Sequence, residues 1–410
     1  MQFDRIGGGA GRTVGRVGAL ALSAGLLLSV GCGGHGQYTQ EHYNAAKEKM
    51  DIMKSATEWE QARQAFLSGD LDKALKAVNR SIAINDKVTK SHVLRGRILM
   101  EMGEMEAAVN SLQTATKLDQ TNAEAPYYLG IAFERFVQRE RALEQYKAAA
   151  DLDTANPQYV IAAAEMYIDL GRLDEAEAYL NARGTTFEHN AGVRQTLGHI
   201  AMIRGDATRG AALFAEARLL APDDEAIAED LVHAQIATAQ FADAEYNISK
   251  LLQDPKNDER RDLRLLRARC LVHVNRLLDA REVLIKLTEG DAGAADAQAW
   301  IDLASVSYML KDHTRARQAS ARAVALAPDR NDGYVIRGLQ LRRDGDLNGA
   351  RAALEKAAAI KAEAGPMVVL GMIQQELKLY DEARKSFEIA QRLDPSDQSL
   401  SGLTASVPTN

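Results

Sequence analysis

Few side chains of this 410-residue chain have the types and spacing that chemistry requires. The eight histidines form no pair at metal-ligand spacing, and neither Glu41-His42 nor Glu188-His189 has a second ligand one helical turn away. The chain has no GxSxG segment for a nucleophilic serine, and the glycine run at 7–11 lacks the flanking strand and helix of a phosphate loop. The sequence therefore predicts no enzyme, no metal site, no cofactor and no small-molecule substrate.

Cys32 ends a segment that differs from the rest of the chain. Three arginines precede an apolar run at 17–30, which is too short to span a bilayer as a mature helix but suits a secretory leader. The Gly-Cys pair at 31–32 resembles a bacterial lipobox, although Ser29 stands where leucine is usual. The resemblance implies removal of residues 1–31 and attachment of fatty chains such as palmitate to Cys32. An ordinary secretory leader, in which Cys32 has no role, is the alternative.

The residue after Cys32 bears on the localisation. In bacteria with two membranes, an aspartate there usually retains a lipoprotein in the inner membrane, and this chain has Gly33. The resemblance therefore implies a lipid-anchored protein of the bacterial cell envelope, on the periplasmic face of the outer membrane.

The net charge and the second cysteine exclude two further kinds of chemistry. The net charge is −7 at pH 7, and a mildly acidic chain repels phosphate backbones, so we expect no nucleic-acid partner. Cys270 lies among Leu266, Ala268 and Leu271 on a predicted helix, which favours a buried, unreactive thiol. With Cys32 acylated, the chain has no pair of cysteines for a disulfide.

Several residue columns recur with nearly constant spacing. The alanine column advances in steps of 34 residues, with two steps of 36 and one of 33, through Ala74, Ala108, Ala142, Ala176, Gly210, Ala244, Ala280, Ala316, Ala350 and Ala383. Twelve residues earlier lies the small column, formed by Ala62, Gly96, Gly130, Ala164, Gly198, Val232, Ala268, Ala304, Gly338 and Gly371. Five residues before the alanine column, half of the units have a turn glycine, and the others have Val137, Ala239, Asn275, Lys311 and Lys378.

Each column has a physical reason in a pair of packed helices. A small residue lets the partner helix cross closely, and a glycine in a left-handed conformation ends the first helix. Large residues four after the alanine column fill the gap beside it, as at Leu112, Tyr146, Leu180, Phe214, Ile248, Leu284, Leu354 and Phe387. The pattern resembles the tetratricopeptide repeat family over residues 55–397, for example in YYLGIAFERFVQRERALEQYKAAADLD. The resemblance implies an all-α, right-handed superhelical solenoid of about ten helix-turn-helix units.

The longer steps and the ends of the repeats suggest boundaries. We expect six units over 55–258 and four over 259–397, with longer loops near 253–260 and 289–296 that either bend the array or leave it continuous. Residues 32–54 are expected to form a tether and a capping helix, the latter over 41–55. Residues 398–410 form a tail in which Leu400 and Leu403 either fold back over the last pair, as we expect, or leave that face open.

In this family the first helices line the concave face, and partner peptides usually bind there. The columns around the small column give the candidate groove residues Tyr127, Ile161, Gln195, His199, Glu229, His233, Leu265, Arg269, Ile301 and Tyr308. One interpretation is a groove for apolar side chains, with basic residues at its centre that bind an acidic group of the peptide. In the other, the basic residues balance Glu165 and Glu229, and the apolar ones pack between units.

The sequence therefore predicts a non-catalytic scaffold for proteins or peptides, tethered to an envelope membrane. It is similar to repeat lipoproteins that assist pilus assembly, polysaccharide export or outer-membrane assembly. A secreted periplasmic adaptor or co-chaperone without lipid, and a regulatory subunit of a cell-wall enzyme, are the alternatives.

Overall fold

The structure, a computed structural model, describes residues 37–397 and 399–408, and twenty of its helices form ten consecutive pairs. The first helices of the pairs are α1 (Gln37–Leu67), α3 (Thr89–Glu101), α5 (Glu124–Arg135), α7 (Pro157–Asp169), α9 (Ala191–Ile203), α11 (Glu225–Ala237), α13 (Arg261–His273), α16 (Ala297–Met309), α18 (Asn331–Arg343) and α20 (Ala364–Glu376). The second helices are α2 (Leu71–Ile84), α4 (Met105–Leu118), α6 (Arg139–Leu152), α8 (Leu173–Asn181), α10 (Ala207–Leu220), α12 (Phe241–Leu251), α14 (Leu277–Leu287), α17 (His313–Leu326), α19 (Leu347–Ile360) and α21 (Tyr380–Leu393). Each pair packs on the next, which confirms the predicted all-α solenoid of about ten units.

The two helices of a pair interlock through the small column. A Cβ atom added to Gly130 would lie 2.5 Å from the ring of Tyr146, and one added to Gly198 would lie 2.6 Å from the ring of Phe214. The alanine column is buried at every unit, because a larger residue there would separate the helices. The expected close crossing is confirmed, since the residues at these positions leave room for one another.

The turn within each pair has one conformation whatever residue occupies it. The five turn glycines have φ between +72° and +85°. Val137, Ala239, Asn275, Lys311 and Lys378 have φ between +58° and +63°, a region that side chains with a Cβ rarely adopt. The fold therefore imposes the left-handed turn on residues that do not favour it.

The capping helix expected over 41–55 is not a separate element. It is the N-terminal part of α1, which continues without a break into the first unit. Residues 37–67 contain neither glycine nor proline, so nothing in the sequence ends the helix.

Both insertions contain structure where loops were expected. The first forms a 3-10 turn over Pro255–Asn257, and the buried amide of Asn257 donates a hydrogen bond to the carbonyl of Leu251 at 2.9 Å. The second forms the short helix α15 (Gly290–Ala294), whose Gly293 carbonyl accepts a 3.1 Å hydrogen bond from the indole of Trp300. Helix α12 packs on α13, and α14 packs on α16, so the stacking continues past both insertions.

The C-terminal tail covers the last pair. Helix α22 (Ser399–Ala405) packs on α21, and Leu400 is 5% exposed within the core of the last two units. Leu403 and Val407 pack near Phe387. The expected fold-back of Leu400 and Leu403 is confirmed.

Candidate partner-binding groove

The first helices form one continuous face of the array. Neighbouring first helices contact one another, as α7 does α9 and α16 does α18, whereas neighbouring second helices within the described part of the chain touch far less. A stack curves towards the side on which its elements lie closest, so the first helices line the concave side. We refer to this surface as the groove.

Aromatic side chains occupy the groove at α5 and α7. The half-buried ring of Tyr127 lies 4.8 Å from that of Tyr159, 5.3 Å from that of Tyr128 and 5.7 Å from that of Tyr146. The next unit contributes Ile161, whose terminal methyl packs against Gly192 of α9. A Cβ atom added to Gly192 would lie 2.8 Å from this methyl. This stretch offers a partner broad, partly exposed apolar surface.

In the middle of the groove, a carboxylate holds the basic and polar groups that the sequence singled out. Asp230 of α11 accepts hydrogen bonds from His199 at 2.8 Å and from Gln195 at 2.7 Å. Burial raises the pKa of Asp230, but these hydrogen bonds and the nearby charge of His233 outweigh it, so the pKa lies below its usual value. His233 itself is exposed.

The remaining candidates on α11, α13 and α16 are also engaged within the protein. Glu229 accepts two hydrogen bonds from the guanidinium of Arg260, at 2.9 and 2.8 Å. Arg269 donates to Asp302 of the next unit at 2.8 Å. His199 and Arg269 are therefore already paired within the protein, whereas His233 is exposed, and a basic centre that binds an acidic group of a partner stays a prediction.

Three apolar or aromatic candidates have different degrees of access. Leu265 is half-buried and packs against the core of the seventh and eighth units. Ile301 is 5% exposed, so it stabilises the core and is not accessible to a partner. Tyr308 is half-buried, with the guanidinium of Arg343 lying 4.4 Å from its ring centroid.

Glu165 is a groove carboxylate without an ion-pair partner among the described residues. It is exposed on α7, and no hydrogen bond or ion pair joins it to another side chain among the described residues. Glu134, which accepts a 2.6 Å hydrogen bond from the hydroxyl of Tyr146, faces it from the preceding unit. The surrounding walls desolvate Glu165 and Glu134 repels it, so its pKa is raised despite the opposing charge of His199.

A small apolar pocket lies further along the groove, between α13 and α16. Its volume is about 120 Å³, and its apolar lining comes from Val272, Leu284, Val306 and Met309, with the Arg269–Asp302 pair at its rim. A volume of this size suits one apolar side chain of a bound peptide.

The sequence analysis missed the acidic partners Asp230 and Asp302. Each lies two residues before the small-column residue of its own unit. Asp230 follows its partner His199 by 31 residues, and Asp302 follows its partner Arg269 by 33. A search for opposite charges at these two columns of neighbouring units would have found both pairs.

The described residues contain no group of three or more histidine, cysteine or acidic side chains that could hold a metal ion. In the same residues no helix has both the length and the apolarity needed to cross a bilayer. Cys32 and the leader lie outside the described residues. Cys270 is a free thiol that is 1% exposed, and burial raises its pKa to about 11, which confirms the expected buried cysteine.

Models of the tetratricopeptide repeat match three parts of the chain. A TPR repeat model matches residues 96–135, and two tetratricopeptide repeat models match 265–331 and the segments 157–182 and 365–397. Together with the ten units of the fold, these matches show that the chain belongs to the tetratricopeptide repeat family. Such repeats are generally non-catalytic, and they support a role as a protein–protein interaction scaffold.

The search of curated proteins finds no match. Among solved structures, a tetratricopeptide repeat protein from Parabacteroides merdae is 16% identical, with 62% of this chain and 99% of that chain covered and a TM-score of 0.44. TTC0263, a thermophilic TPR protein in Thermus thermophilus, is 20% identical, with 44% and 99% covered and a TM-score of 0.36. YrrB, described as a TPR protein with an unusual peptide-binding site, is 15% identical, with 49% and 98% covered and a TM-score of 0.37.

Proposed function

We propose that this protein is a lipid-anchored scaffold of the bacterial cell envelope that binds an extended segment of a partner protein in its groove. The observation that carries the proposal is the continuous face of ten first helices, which combines aromatic surface, a side-chain pocket and an unpaired carboxylate. Extended segments suit such a face because it repeats at each unit and so offers successive side-chain sites.

The charges of the groove favour a basic partner group. Within the part of the chain that the structure describes, the carboxylate of Glu165 has neither a hydrogen bond nor an ion pair, and Glu134 repels it. A lysine or arginine of the partner would relieve this repulsion and form a charge-assisted hydrogen bond. His199 and Arg269 offer no comparable vacancy for an acid, because Asp230 and Asp302 already accept from them. The preferred ligand is therefore an apolar segment with a basic residue near its centre.

A phage-displayed library of random peptides, selected on the immobilised protein, tests this preference. We expect enrichment of peptides with apolar residues around a lysine or arginine. The Glu165→Gln variant should lose on the order of tenfold in affinity for them, because the charge-assisted hydrogen bond is lost. Glu175→Gln, which changes an acid on the second helix α8, is the matched control and should bind as the wild type does.

One outcome would contradict the preference for a basic partner group, and a second would contradict the groove itself. Enrichment of acidic peptides, lost on replacing His199 and His233 by alanine, would support the basic centre instead. Equal photo-crosslinking of a selected peptide to a probe at Met309 in the groove and at Leu278 on the second helix α14 would place binding elsewhere. Both positions are exposed, at 53% and 62%, so access does not bias the comparison.

The anchor is tested separately from the groove. Expression in a bacterium should give a chain that begins at Cys32, carries the mass of its acyl chains and sediments with membranes. Cys32→Ser should abolish the added mass and the globomycin-sensitive processing. Unchanged processing and membrane fractionation of Cys32→Ser would reject the anchor and leave the peptide-binding result intact.

A further inference from the structure

The N-terminal part of α1 extends past the end of α2, its partner in the first helix pair. Helix α2 ends at Ile84, and the segment of α1 beside this end comprises residues 44–51. All side chains over residues 40–50 are exposed. We refer to residues 40–54 as the stalk, because they form a helical arm that leads from the predicted anchor to the first unit.

The stalk has an apolar stripe on one face. Tyr43, Ala46, Met50 and Met53 are spaced by three, four and three residues, which aligns them along a helix. Tyr43 is 62%, Met50 49% and Met53 71% exposed. Three of the four large exposed apolar groups of the stalk share this face, while Ile52, 49% exposed, lies on the opposite side of the helix.

The charges of the stalk are sorted around this stripe. Lys47 and Lys54 border one edge of it, and Lys49 borders the other. No described acid forms an ion pair with any of these lysines. The three acids Glu41, Glu48 and Asp51 lie away from the stripe, and Glu48 and Asp51 line, together with Lys47, a cleft beside the end of α2. An apolar stripe with basic edges is the pattern of a helix that lies in a membrane interface.

We propose that the stalk binds the surface of an anionic phospholipid membrane. Tyr43, Met50 and Met53 enter the boundary between headgroups and acyl chains, while the lysines extend their stems along it and reach the lipid phosphates. A second copy of the chain is a poorer occupant, because lysines at both edges of one stripe would meet lysines of the other.

Membrane binding through the stalk would also orient the array. The face that carries the stripe continues along α1 to Thr57, Gln61 and Gln64 at the first end of the array. This end therefore faces the membrane, and the successive units lead away from it. Binding by the stalk requires neither acylation of Cys32 nor an occupied groove.

Vesicle flotation tests the proposal with the chain from Gly33 onward, which contains every described residue and no lipid. We expect flotation with vesicles of phosphatidylglycerol and phosphatidylcholine in equal parts, and little with phosphatidylcholine alone. Replacing Lys47, Lys49 and Lys54 by glutamine should weaken binding on the order of a hundredfold, or about fivefold for each lysine. Replacing Tyr43, Met50 and Met53 by serine should abolish it.

The matched control replaces three exposed apolar residues of second helices, Leu219, Tyr246 and Leu278, by serine, and should bind as the wild type does. Since the stalk residues are exposed, circular dichroism should show the same helix content and melting temperature for every variant. Equal flotation of the wild type and the stripe variant would overturn the proposal. So would wild-type dimers that the stripe variant lacks, without vesicle binding. Either result leaves Cys32 acylation and groove binding untouched.

Discussion

Two stretches of the array stack with the same geometry but hold their units together differently. In the apolar stretch, residues 89–203, one hydrophobic cluster runs from Val93 to Ile200. In the ion-paired stretch, residues 225–344, the core is divided into separate clusters, one from Ala228 to Cys270 and one from Ala268 to Ala319. The repeat pattern therefore fixes where the helices lie, but not which interactions join one unit to the next.

Arginine–carboxylate pairs cross the unit boundaries where the core is divided. In the ion-paired stretch their carboxylates are only 12–27% exposed, at Glu229, Glu245, Asp296, Asp302, Asp312 and Asp344. In the apolar stretch the carboxylates of Glu101, Asp151 and Asp169 are 51–66% exposed, and the exception is Glu177, which is 17% exposed and pairs with Arg204 and Arg209 of the fifth unit. Exposed pairs contribute little, so ion pairs matter to the stacking throughout the second stretch, but in the first stretch only where Glu177 joins the fourth unit to the fifth.

The largest expected effect comes from a matched pair of core truncations, Leu180→Ala and Leu284→Ala. Both leucines are at most 1% exposed and share a cluster with an alanine of the small column, Ala164 or Ala268. Each truncation should cost about 2–5 kcal/mol by leaving a cavity. Hydrogen exchange should show Leu284→Ala lowering protection only over the two units of its cluster, α13–α17, and Leu180→Ala lowering protection across α3–α9.

The contrast depends on where protection is lost, not on how much. Opening confined to α7 and α8 in Leu180→Ala would show that the apolar stretch is no more continuous than the ion-paired one. The buried thiol of Cys270 gives a second readout in the chain from Gly33 onward, because a labelling reagent reaches it only when α13 opens.

Acid should weaken the ion-paired stretch more than the apolar one. Burial raises the pKa of Glu245. Hydrogen bonds from Arg267 and Ser249 and the charge of Arg276 lower it by a larger amount, so the pKa lies below its usual value of 4.5. A lowered carboxyl pKa adds stability above the unfolded value of 4.5 that is lost as pH falls through the folded value. In the apolar stretch two effects oppose each other: hydrogen bonds from Arg209 and Arg204 lower the pKa of Glu177, whereas the pKa of Glu165 is raised, so its protonation as pH falls stabilises the folded state.

Glu245→Gln tests this difference directly. At neutral pH it should destabilise the sixth and seventh units by about 1–2 kcal/mol, because two arginines lose a charged acceptor. Urea titrations monitored by hydrogen exchange should also show a shallower loss of stability in these units below pH 4.5. An equal acid response of both stretches, or one unchanged by Glu245→Gln, would show that their ion pairs contribute alike. Glu175→Gln, an exposed acid of the apolar stretch, is the control.

The sequence predicted the fold because each column has a reason within a single unit. Gly130 and Tyr146, or Gly198 and Phe214, recur at a fixed separation whatever lies next to them. The chemistry of the groove depends on neighbouring units, whose spacing varies and whose charges vary independently. The basic column was therefore visible at His199, while its acceptor Asp230, two residues before the next small column, was not recognised.

Helix ends were less predictable than helix pairs for a similar reason. We expected a break near residue 55 because the repeats begin there. The chain has no residue at this point that ends a helix, so α1 continues. The short helix α15 likewise depends on Trp300, seven residues beyond its Gly293, which binds that glycine's carbonyl. Such contacts carry no periodic signal in the sequence.

The smallest expected effect is one that should be equal in the two stretches. Val137 and Ala239 occupy the left-handed turn of the third and sixth units, with φ of +59° and +58°. Glycine adopts this conformation without strain, so Val137→Gly and Ala239→Gly should each stabilise the protein by up to about 1 kcal/mol, less the entropy glycine adds to the unfolded chain. The side chain of Val137 is 65% exposed, so its removal forfeits little packing.

Gly171→Ala is the reverse control, and it should destabilise by about 1 kcal/mol. A Cβ atom there would meet nothing within 4 Å, so the cost arises from the backbone alone. Urea unfolding of the three variants gives the comparison. Equal gains at Val137 and Ala239 would show that the turn is independent of how units are joined. A gain in the free energy of unfolding for Val137→Gly with none for Ala239→Gly would show instead that the ion-paired stretch opens before the strain in its turn is released. The difference between the stretches would then extend to the interior of each unit.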